Sequence, residues 1–284
     1  MNTTTHFELL IDRLRGMDTR VRVAVVCPRD ASSQEALAQA ASEGWIEPLA
    51  VDDDDPATAA RQAVTLARQG QADVLMKGLI SSDVLLRAIL DKEVGILERG
   101  RVLSHVAVAK MPRYHKLVAY SDAAVIPYPT QEQRVQQVRY LLALCRGMGI
   151  NVPRVALIHC SEHTDGRHFP HTVGYADIIR QAGQGDFGPC VIDGPLDLKT
   201  SLSAESLRVK GIESAVGGEA DALVFPDIEA ANVFHKTITL LADARIAAVL
   251  QGPSVPVVMP SRGDDAESKY LSLALAALQS LTHR

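Results

Sequence analysis

Val21-Arg22-Val23-Ala24-Val25-Val26 opens the stretch whose reading decides the fold. It is followed by the amphipathic segment Ser32 to Ser42, the short run Ile46-Glu47-Pro48-Leu49-Ala50-Val51 and a second amphipathic segment from Pro56 to Gln69. Short β-branched runs alternating with longer helix-period segments predict parallel α/β units. Working outward, strands are expected near Val74 to Met76, Val102 to Val108 and Leu117 to Ser121, with helices near Ser82 to Leu90 and Gln131 to Met148. Pro56 at a first-turn position, Ser82-Asp83, and Thr130 with Gln133 three residues on signal helix starts. Gly147-Met148-Gly149-Ile150-Asn151-Val152-Pro153 marks a seam, and Val155-Ala156-Leu157-Ile158 begins a second α/β block. That block runs through Val191-Ile192-Asp193, a helix from Ser203, Ala222-Leu223-Val224-Phe225 and a helix from Ile228. The chain then returns through Ile246 to Leu250, Val255 to Met259 and a helix from about Ala266 to Leu281. The expected architecture is α/β, with two open parallel-rich domains and an interdomain cleft: residues 1–150 plus 250–284, and residues 151–249. Open sheets of this kind bind ligands beyond the C-terminal ends of their strands.

The 284 residues lie near the size at which one core splits into two domains. Hydrophobic residues at 47% and charged residues at 22% describe an ordinary globular chain, and a formal charge of -5 gives no reason to expect nucleic acid. Met1-Asn2-Thr3-Thr4-Thr5-His6 lacks a basic region ahead of an apolar core, and no apolar run approaches the ~20 residues a membrane span needs. Cys27, Cys145, Cys160 and Cys190 are scattered, without zinc-type or disulfide-like spacing, and read as reduced thiols in a cytoplasmic protein.

Four loops at predicted strand ends carry chemistry. Met76-Lys77-Gly78-Leu79-Ile80-Ser81-Ser82 sets a Lys and a Gly ahead of a helix N-terminus, a ready place for an anion, although a solvated Lys beside a helix cap has the same appearance. Asp193-Gly194-Pro195-Leu196-Asp197 is a strand running into a turn, and Asp-Gly-Pro is most often turn chemistry alone. Pro226-Asp227-Ile228-Glu229-Ala230-Ala231-Asn232, with Lys236 one turn later, offers Asp227 as a helix cap and Glu229, Asn232 and Lys236 as a polar stripe at helical spacing. Met259-Pro260-Ser261-Arg262-Gly263-Asp264-Asp265 brings a hydroxyl, a guanidinium and two carboxylates to the mouth of a buried strand. A guanidinium fork grips a phosphoryl group, a hydroxyl donates to a developing oxyanion, and a carboxylate takes a proton from a thiol.

In that order, these loops closely resemble the phosphate acetyltransferase and butyryltransferase family. Gly218-Glu219-Ala220-Asp221, Gly252, Pro256 and the terminal helix near Glu267-Ser268-Lys269 extend the resemblance over roughly residues 20–284, with the butyryltransferase branch nearer. It implies the two-domain fold of isocitrate and isopropylmalate dehydrogenases, a homodimer, no permanently bound cofactor and no metal. Coenzyme A, acyl phosphate and inorganic phosphate are the implied reactants, without nucleic-acid or membrane partners. The implied reaction exchanges a short-chain acyl-CoA and phosphate for acyl phosphate and CoA, through thiolate attack and a tetrahedral intermediate. In it Arg262 binds the phosphoryl group and Ser261 donates to the tetrahedral oxygen. Lys77, Gly78, Ser81 and Ser82 hold phosphate, and Arg87 is a candidate for a CoA phosphate. Ser161, Glu162, Asp193, Asp227, Glu229, Asn232 and Lys236 complete the binding set.

Two departures stand out. The acetyltransferase branch carries an Asp about two turns after Ser-Arg, where this chain has Ser268, so the expected base is Asp264, then Glu267, then Asp265. An ordinary carboxylate is a poor base for a thiol, so the site must raise the one pKa or lower the other. The second departure is Ile158-His159-Cys160-Ser161-Glu162-His163-Thr164-Asp165, followed by His168 and His171. Its spacings fit no standard zinc motif, leaving pocket lining, a solvated loop or a bound metal as readings. His159 and Cys160 are expected on opposite faces if they end a strand. Lys199 stands where the butyryltransferase branch tends to carry an Asp, which bears on acyl-chain preference.

Gly183-Gln184-Gly185-Asp186-Phe187-Gly188 spells a dinucleotide-binding string, but it follows a helix and precedes a strand, the reverse of the required context. One alternative is a metal- and NAD-dependent decarboxylating dehydrogenase using Asp227, Asp264 and Asp265, in which Ser-Arg-Gly has no evident place. Another is a non-catalytic sensor or scaffold that binds CoA or acyl phosphate.

Overall fold

The computed structural model describes residues 6–261 and 263–282. The chain begins α1 (Phe7–Arg15), β1 (Val21–Val26), α2 (Ala31–Ser42), β2 (Ile46–Val51), α3 (Pro56–Arg68), β3 (Val74–Lys77) and α4 (Ser82–Ile89). It continues β4 (Ser104–Lys110), β5 (Leu117–Ser121), α5 (Gln131–Gly147), β6 (Arg154–Ile158), α6 (His171–Gln184), β7 (Val191–Leu196), α7 (Leu198–Leu202) and α8 (Ala204–Lys210). It ends β8 (Ala222–Val224), α9 (Ile228–Leu241), β9 (Arg245–Gln251), β10 (Val257–Val258) and α10 (Ala266–Thr282). Local chemistry starts several of these helices: Asp55 caps α3 with Pro56 behind it, and Thr130 and Gln133 form a reciprocal capping box on α5.

The chain divides into two compact units, His6–Leu103 with Ile246–Arg284, and Ser104–Arg245. The first carries strands in the order β2-β1-β3-β10-β9, parallel except where β10 meets β9. Its inner strands β1 and β3 are nearly fully buried because helices cover the sheet, as a parallel sheet requires, whereas β2 at the edge keeps exposed positions. Leu271, Leu273, Ala274, Leu275, Ala276 and Ala277 of α10 are all buried, so this helix is an interior element. Two polar networks anchor it. Lys269, 4% exposed, donates to Asp30 Oδ1 at 2.6 Å, Ser32 Oγ at 2.7 Å and Ser33 Oγ at 3.0 Å, tying α10 to the start of α2.

Glu43, just after α2, receives Trp45 Nε1 at 2.9 Å, an ion pair from Arg15 at 3.0 Å, and the Tyr270 hydroxyl. Burial opposes its charge, but the hydrogen bonds from Arg15, Tyr270, Trp45 and Gln39 outweigh that and hold it down to about 2, against an ordinary 4.5. A depressed carboxyl stabilises the fold above its unfolded pKa and loses that contribution as pH falls through the folded value. Wild type is therefore expected to lose stability between pH 4.5 and about 2 more steeply than Glu43→Gln, in urea titrations at stepped pH. Parallel acid limbs would exclude this role.

The second unit carries β4-β5-β8-β6-β7, with β4 and β5 antiparallel and the rest parallel. This moves the expected seam: residues 104–150 group with residues 151–245, not with the N-terminal block. β5 pairs in register with β8, Ala119 opposite Ala222 and Ser121 opposite Val224, and α5 packs on both strands. The Gly-Pro expected in a turn lies inside β7, where Gly194 (φ 157°) leaves no room for a Cβ, which would sit 2.7 Å from Leu157 O. The register shift between Ala156 and Ile158 accommodates this irregular segment.

Candidate functional site

In the first unit, β3 and β10 are parallel neighbours, Leu75 opposite Val257 and Met76 opposite Val258, so their C-terminal ends emerge side by side. Lys77 ends one, and Met259-Pro260-Ser261 follows the other. Between them lies a cavity of about 360 Å³ lined by Lys77, Ile80, Ser81, Ser82, Pro260 and Ser261. Lys77 is 4% exposed, and its ammonium donates to Gly78 O at 3.2 Å and Ile80 O at 3.3 Å. The chain turns back through Gly78, whose N–H donates to Val26 O at 2.8 Å. A Cβ on Gly78 would meet Cys27 O at 2.3 Å and Val26 O at 2.5 Å, so only glycine lets the loop lie against the end of β1. Ser81 precedes α4 as its N-cap residue without a side-chain capping bond, and the start of this helix sits on the cavity wall. A buried ammonium beside a helix N-terminus favours an anion. Gly78→Ala is expected to lower the melting temperature by several degrees and activity at least tenfold, read by thermal melts and initial rates; unchanged rates would mean that the loop does not shape the site.

The loop after β10 is held by its own carboxylates. Asp264 Oδ2 accepts the Ser261 N–H at 2.8 Å, and Asp264 N–H returns to Ser261 O at 3.2 Å. Asp265 Oδ1 accepts Ser268 N–H at 2.8 Å and so caps α10. Glu267 lies exposed in the first turn of α10, and Arg87 lies exposed on α4. Arg262 lies outside the described residues.

In the second unit, three sequence-predicted carboxylates, Asp193, Glu162 and Asp227, are committed to structure. Asp193 accepts Ser214 Oγ at 2.6 Å and Ala215 N–H at 3.0 Å, pinning a distant loop to β7. Glu162 accepts Lys210 Nζ at 2.9 Å and Thr200 Oγ1 at 3.1 Å, and the same Lys210 reaches Asp197 Oδ2 at 2.6 Å. Asp227 caps α9 through Ala230 N–H at 2.8 Å. Asn232 Nδ2 donates to Ala123 O at 3.0 Å, while Glu229 and Lys236 are exposed on the same helix, and Ser161 is half-buried. The structure thus gathers Lys77, Ser81, Ser82 and Ser261 around one cavity of the first unit; in the second unit Asp227, Glu229, Asn232 and Lys236 share α9 and its cap, while Asp193 lies in β7 and Ser161 and Glu162 in the loop after β6.

The histidine segment differs from its expectation. His159 and Cys160 do not face apart: Cys160 Sγ lies 3.7 Å from His159 Nε2, because the strand has ended and the backbone turns. His159 meets Phe169 at 4.6 Å and His171 at 5.3 Å in edge-to-face contacts, whereas His168 pairs with Asp165 at 2.8 Å in the exposed loop. Sequence reasoning missed Arg134, which is buried in the first turn of α5 and donates to Pro226 O at 3.1 Å. A signal existed, since a cation in a helix's first turn opposes the helix dipole and so calls for a reason.

Residues 34–277 match the family described as phosphate acetyl/butaryl transferase. The chain belongs to the phosphate acetyl/butyryltransferase family. Among relatives of this transferase, the phosphate butyryltransferase of Clostridium beijerinckii is 36% identical, over 96% of this chain and 97% of its own. The phosphate acetyltransferase of Thermotoga maritima is also 36% identical, over 82% of this chain and 79% of its own. The crystal structure of a branched-chain phosphotransacylase from Enterococcus faecalis superimposes with a TM-score of 0.82 at 28% identity, covering 92% of this chain and 99% of that one. The mixed α/β fold of this phosphate acyltransferase is thus the fold of the phosphotransacylases. Its enzymatic class follows from the family.

Proposed function

We propose that this phosphate acyltransferase exchanges a short-chain acyl-CoA and inorganic phosphate for acyl phosphate and free CoA, with butyryl- or acetyl-sized chains as substrates. The observation that carries this reading is the cavity at the paired ends of β3 and β10, where buried Lys77, the start of α4 and Ser261 converge immediately before Arg262. Written toward acyl-CoA, a base takes the thiol proton and the sulfur attacks the carbonyl carbon. The tetrahedral intermediate then collapses with cleavage of the carbon–oxygen bond to phosphate. Lys77 and Arg262 neutralise the phosphoryl oxygens, and the Ser261 hydroxyl donates to the tetrahedral oxyanion. Asp264 remains the first candidate for the base: one of its oxygens is fixed by the Ser261 N–H, which orients the other without consuming it. Glu267 is second, and Asp265 is committed to capping α10.

Arg87, Asp227, Glu229, Asn232 and Lys236 belong to the proposal as contacts for the nucleotide and pantetheine parts of CoA. Asp193 and Glu162 belong to it as supports of the loops described above, and Ser161 as a polar contact. A homodimer, a cytoplasmic setting, independence from any resident cofactor and the isocitrate/isopropylmalate dehydrogenase-like architecture are likewise parts of the proposal.

The test is phosphate-dependent release of CoA from acetyl-, propionyl- and butyryl-CoA in chelator-treated buffer. Release is expected to require phosphate and to fall by about 10²–10³ in Arg262→Ala. Asp264→Asn keeps an oxygen to accept the Ser261 N–H but removes the base, so kcat is expected to fall by about 10²–10⁴ with the melting temperature little changed. Binding of CoA without release from any of the three would replace the transferase reading with that of a sensor.

A further inference from the structure

The second unit brings three helix starts together over adjacent parallel strands. The chain leaves β5 at Ser121 and enters α5 at Gln131; it leaves β6 at Ile158 and enters α6 at His171; it leaves β8 at Val224 and enters α9 at Ile228. Since β8 pairs with both β5 and β6, these openings lie beyond the C-terminal ends of neighbouring strands, where open α/β sheets take ligands. Arg134, in the first turn of α5, is 3% exposed. Its Nη2 donates to Pro226 O at 3.1 Å and Pro129 O at 3.4 Å, and its Cζ lies 5.6 Å from the Tyr175 ring centroid. Its Nε is buried without a hydrogen-bond partner. Tyr175 is fixed by its own hydrogen bond to Ile158 O at 2.8 Å, and the His171 ring packs on it at 5.5 Å. His171 Nε2 is also buried and without a partner, as are both amide atoms of Gln137, one helical turn beyond Arg134.

These features run against the ordinary demands of a folded interior. A guanidinium is taken out of water, set near the positive start of a helix and given no bonded carboxylate among the described residues; the nearby charge of Asp227 is already shared with the N–H of Ala230. Buried polar atoms left unpaired in one small region call for an unplaced partner. Burial first, then the charges of Arg134 and His159, hold His171 down to about 4, so at neutral pH its ring is uncharged and can present Nε2–H as a donor.

We propose that Arg134 and His171 form a binding site for the oxyanion of a small molecule, a carboxylate or a phosphoryl group, beyond the ends of β5, β6 and β8. The oxyanion accepts from Arg134 Nε and His171 Nε2 and supplies the negative charge that the guanidinium lacks, with Gln137 available through its amide. All the residues belong to one unit, and none belongs to the cavity beside Lys77. The site is therefore distinct from the Lys77 cavity, while Pro226, to which Arg134 donates, adjoins Asp227, one of the contacts proposed for CoA.

The experiment is thermal denaturation of the full chain with inorganic phosphate, butyrate or succinate, in wild type, Arg134→Met, His171→Phe and Lys77→Met. If the guanidinium is kept for a ligand, Arg134→Met melts about 2–4 °C higher than wild type in ligand-free buffer. It also loses at least tenfold in apparent affinity for the stabilising oxyanion, and His171→Phe loses a few-fold. Phosphate binding at the Lys77 cavity is removed in Lys77→Met, so a response that survives there and vanishes in Arg134→Met belongs to this site. Stabilisation by butyrate or succinate assigns a carboxylate, and stabilisation by phosphate alone assigns a phosphoryl group. The proposal is overturned if no oxyanion separates wild type from Arg134→Met, or if that variant only melts lower with its ligand response intact. Should Arg134→Met fail to fold, an unchanged ligand response in His171→Phe overturns it equally.

Discussion

Replacing Lys77 with methionine is expected to lower kcat/KM for phosphate-dependent CoA release by about 10²–10³, the scale of removing one preorganised charge-stabilising donor. Lys77 ends a buried strand, its stem is packed, and its ammonium shares a cavity wall with Ser81, Ser82 and Ser261. A charge held in this way needs no reorganisation when phosphoryl charge develops, which is why its removal acts on the transition state. Methionine keeps the volume of the stem and removes only the cation. Arginine should not rescue, because a planar fork on a longer stem does not fit between Gly78 O and Ile80 O. The discriminating reading is a full set of rates against phosphate and CoA, beside a thermal melt. Loss of rate with an unchanged melting temperature supports the role, whereas a fall explained entirely by unfolding would make Lys77 a structural residue.

Lys269→Met is expected to produce the largest loss of stability, about 3–5 kcal/mol, seen as a melting temperature lower by roughly 6–15 °C. Lys269 is the buried tie between α10 and α2, with Asp30, Ser32 and Ser33 all pointed at its ammonium. Burial penalises the Asp30 carboxylate, but hydrogen bonds from Lys269, Ser33 and Ser32 outweigh that and hold it well below the usual carboxylate range. A depressed carboxyl contributes stability above its unfolded value of 3.8, and that contribution fades as pH falls through the folded value. The variant should therefore show a flatter acid limb as well as a lower plateau. Asp30→Asn combined with Lys269→Met should recover part of the loss, since it removes the stranded charge. A double variant no more stable than the single would show that packing of α10, and not the ion pair, carries the effect.

The features legible in the sequence share a physical scale. The β-branched run Val21 to Val26, Pro56 behind Asp55, and the Thr130–Gln133 capping box act within a few residues, so their meaning survives without knowledge of neighbours. The Lys77-Gly78 and Ser261 loops were legible as sites because a strand end followed by a helix start implies an open edge of the sheet. That they face one another was not, since it depends on β3 pairing with β10, far along the chain. The placement of residues 104–150 depended on β5 finding β8, a choice made by apolar surfaces that look alike in every strand of this protein. Glu162, Asp193 and Asp227 read as ligand contacts because the family resemblance implies that role; the fold supplies Lys210, Ser214 and the N–H of Ala230 as their partners.

The sequence by itself determined the α/β class, most of the helix starts, the family and the segments that carry chemistry, because periodicity, capping and motif spacing are local properties of the chain. Only the tertiary structure decided where the chain divides, which of the polar residues are spent on holding loops, and that buried Arg134 and half-buried His171 each keep a ring or guanidinium nitrogen shut from water and unmet. Those outcomes rest on pairings between distant strands and on which side chains the packed sheet removes from water.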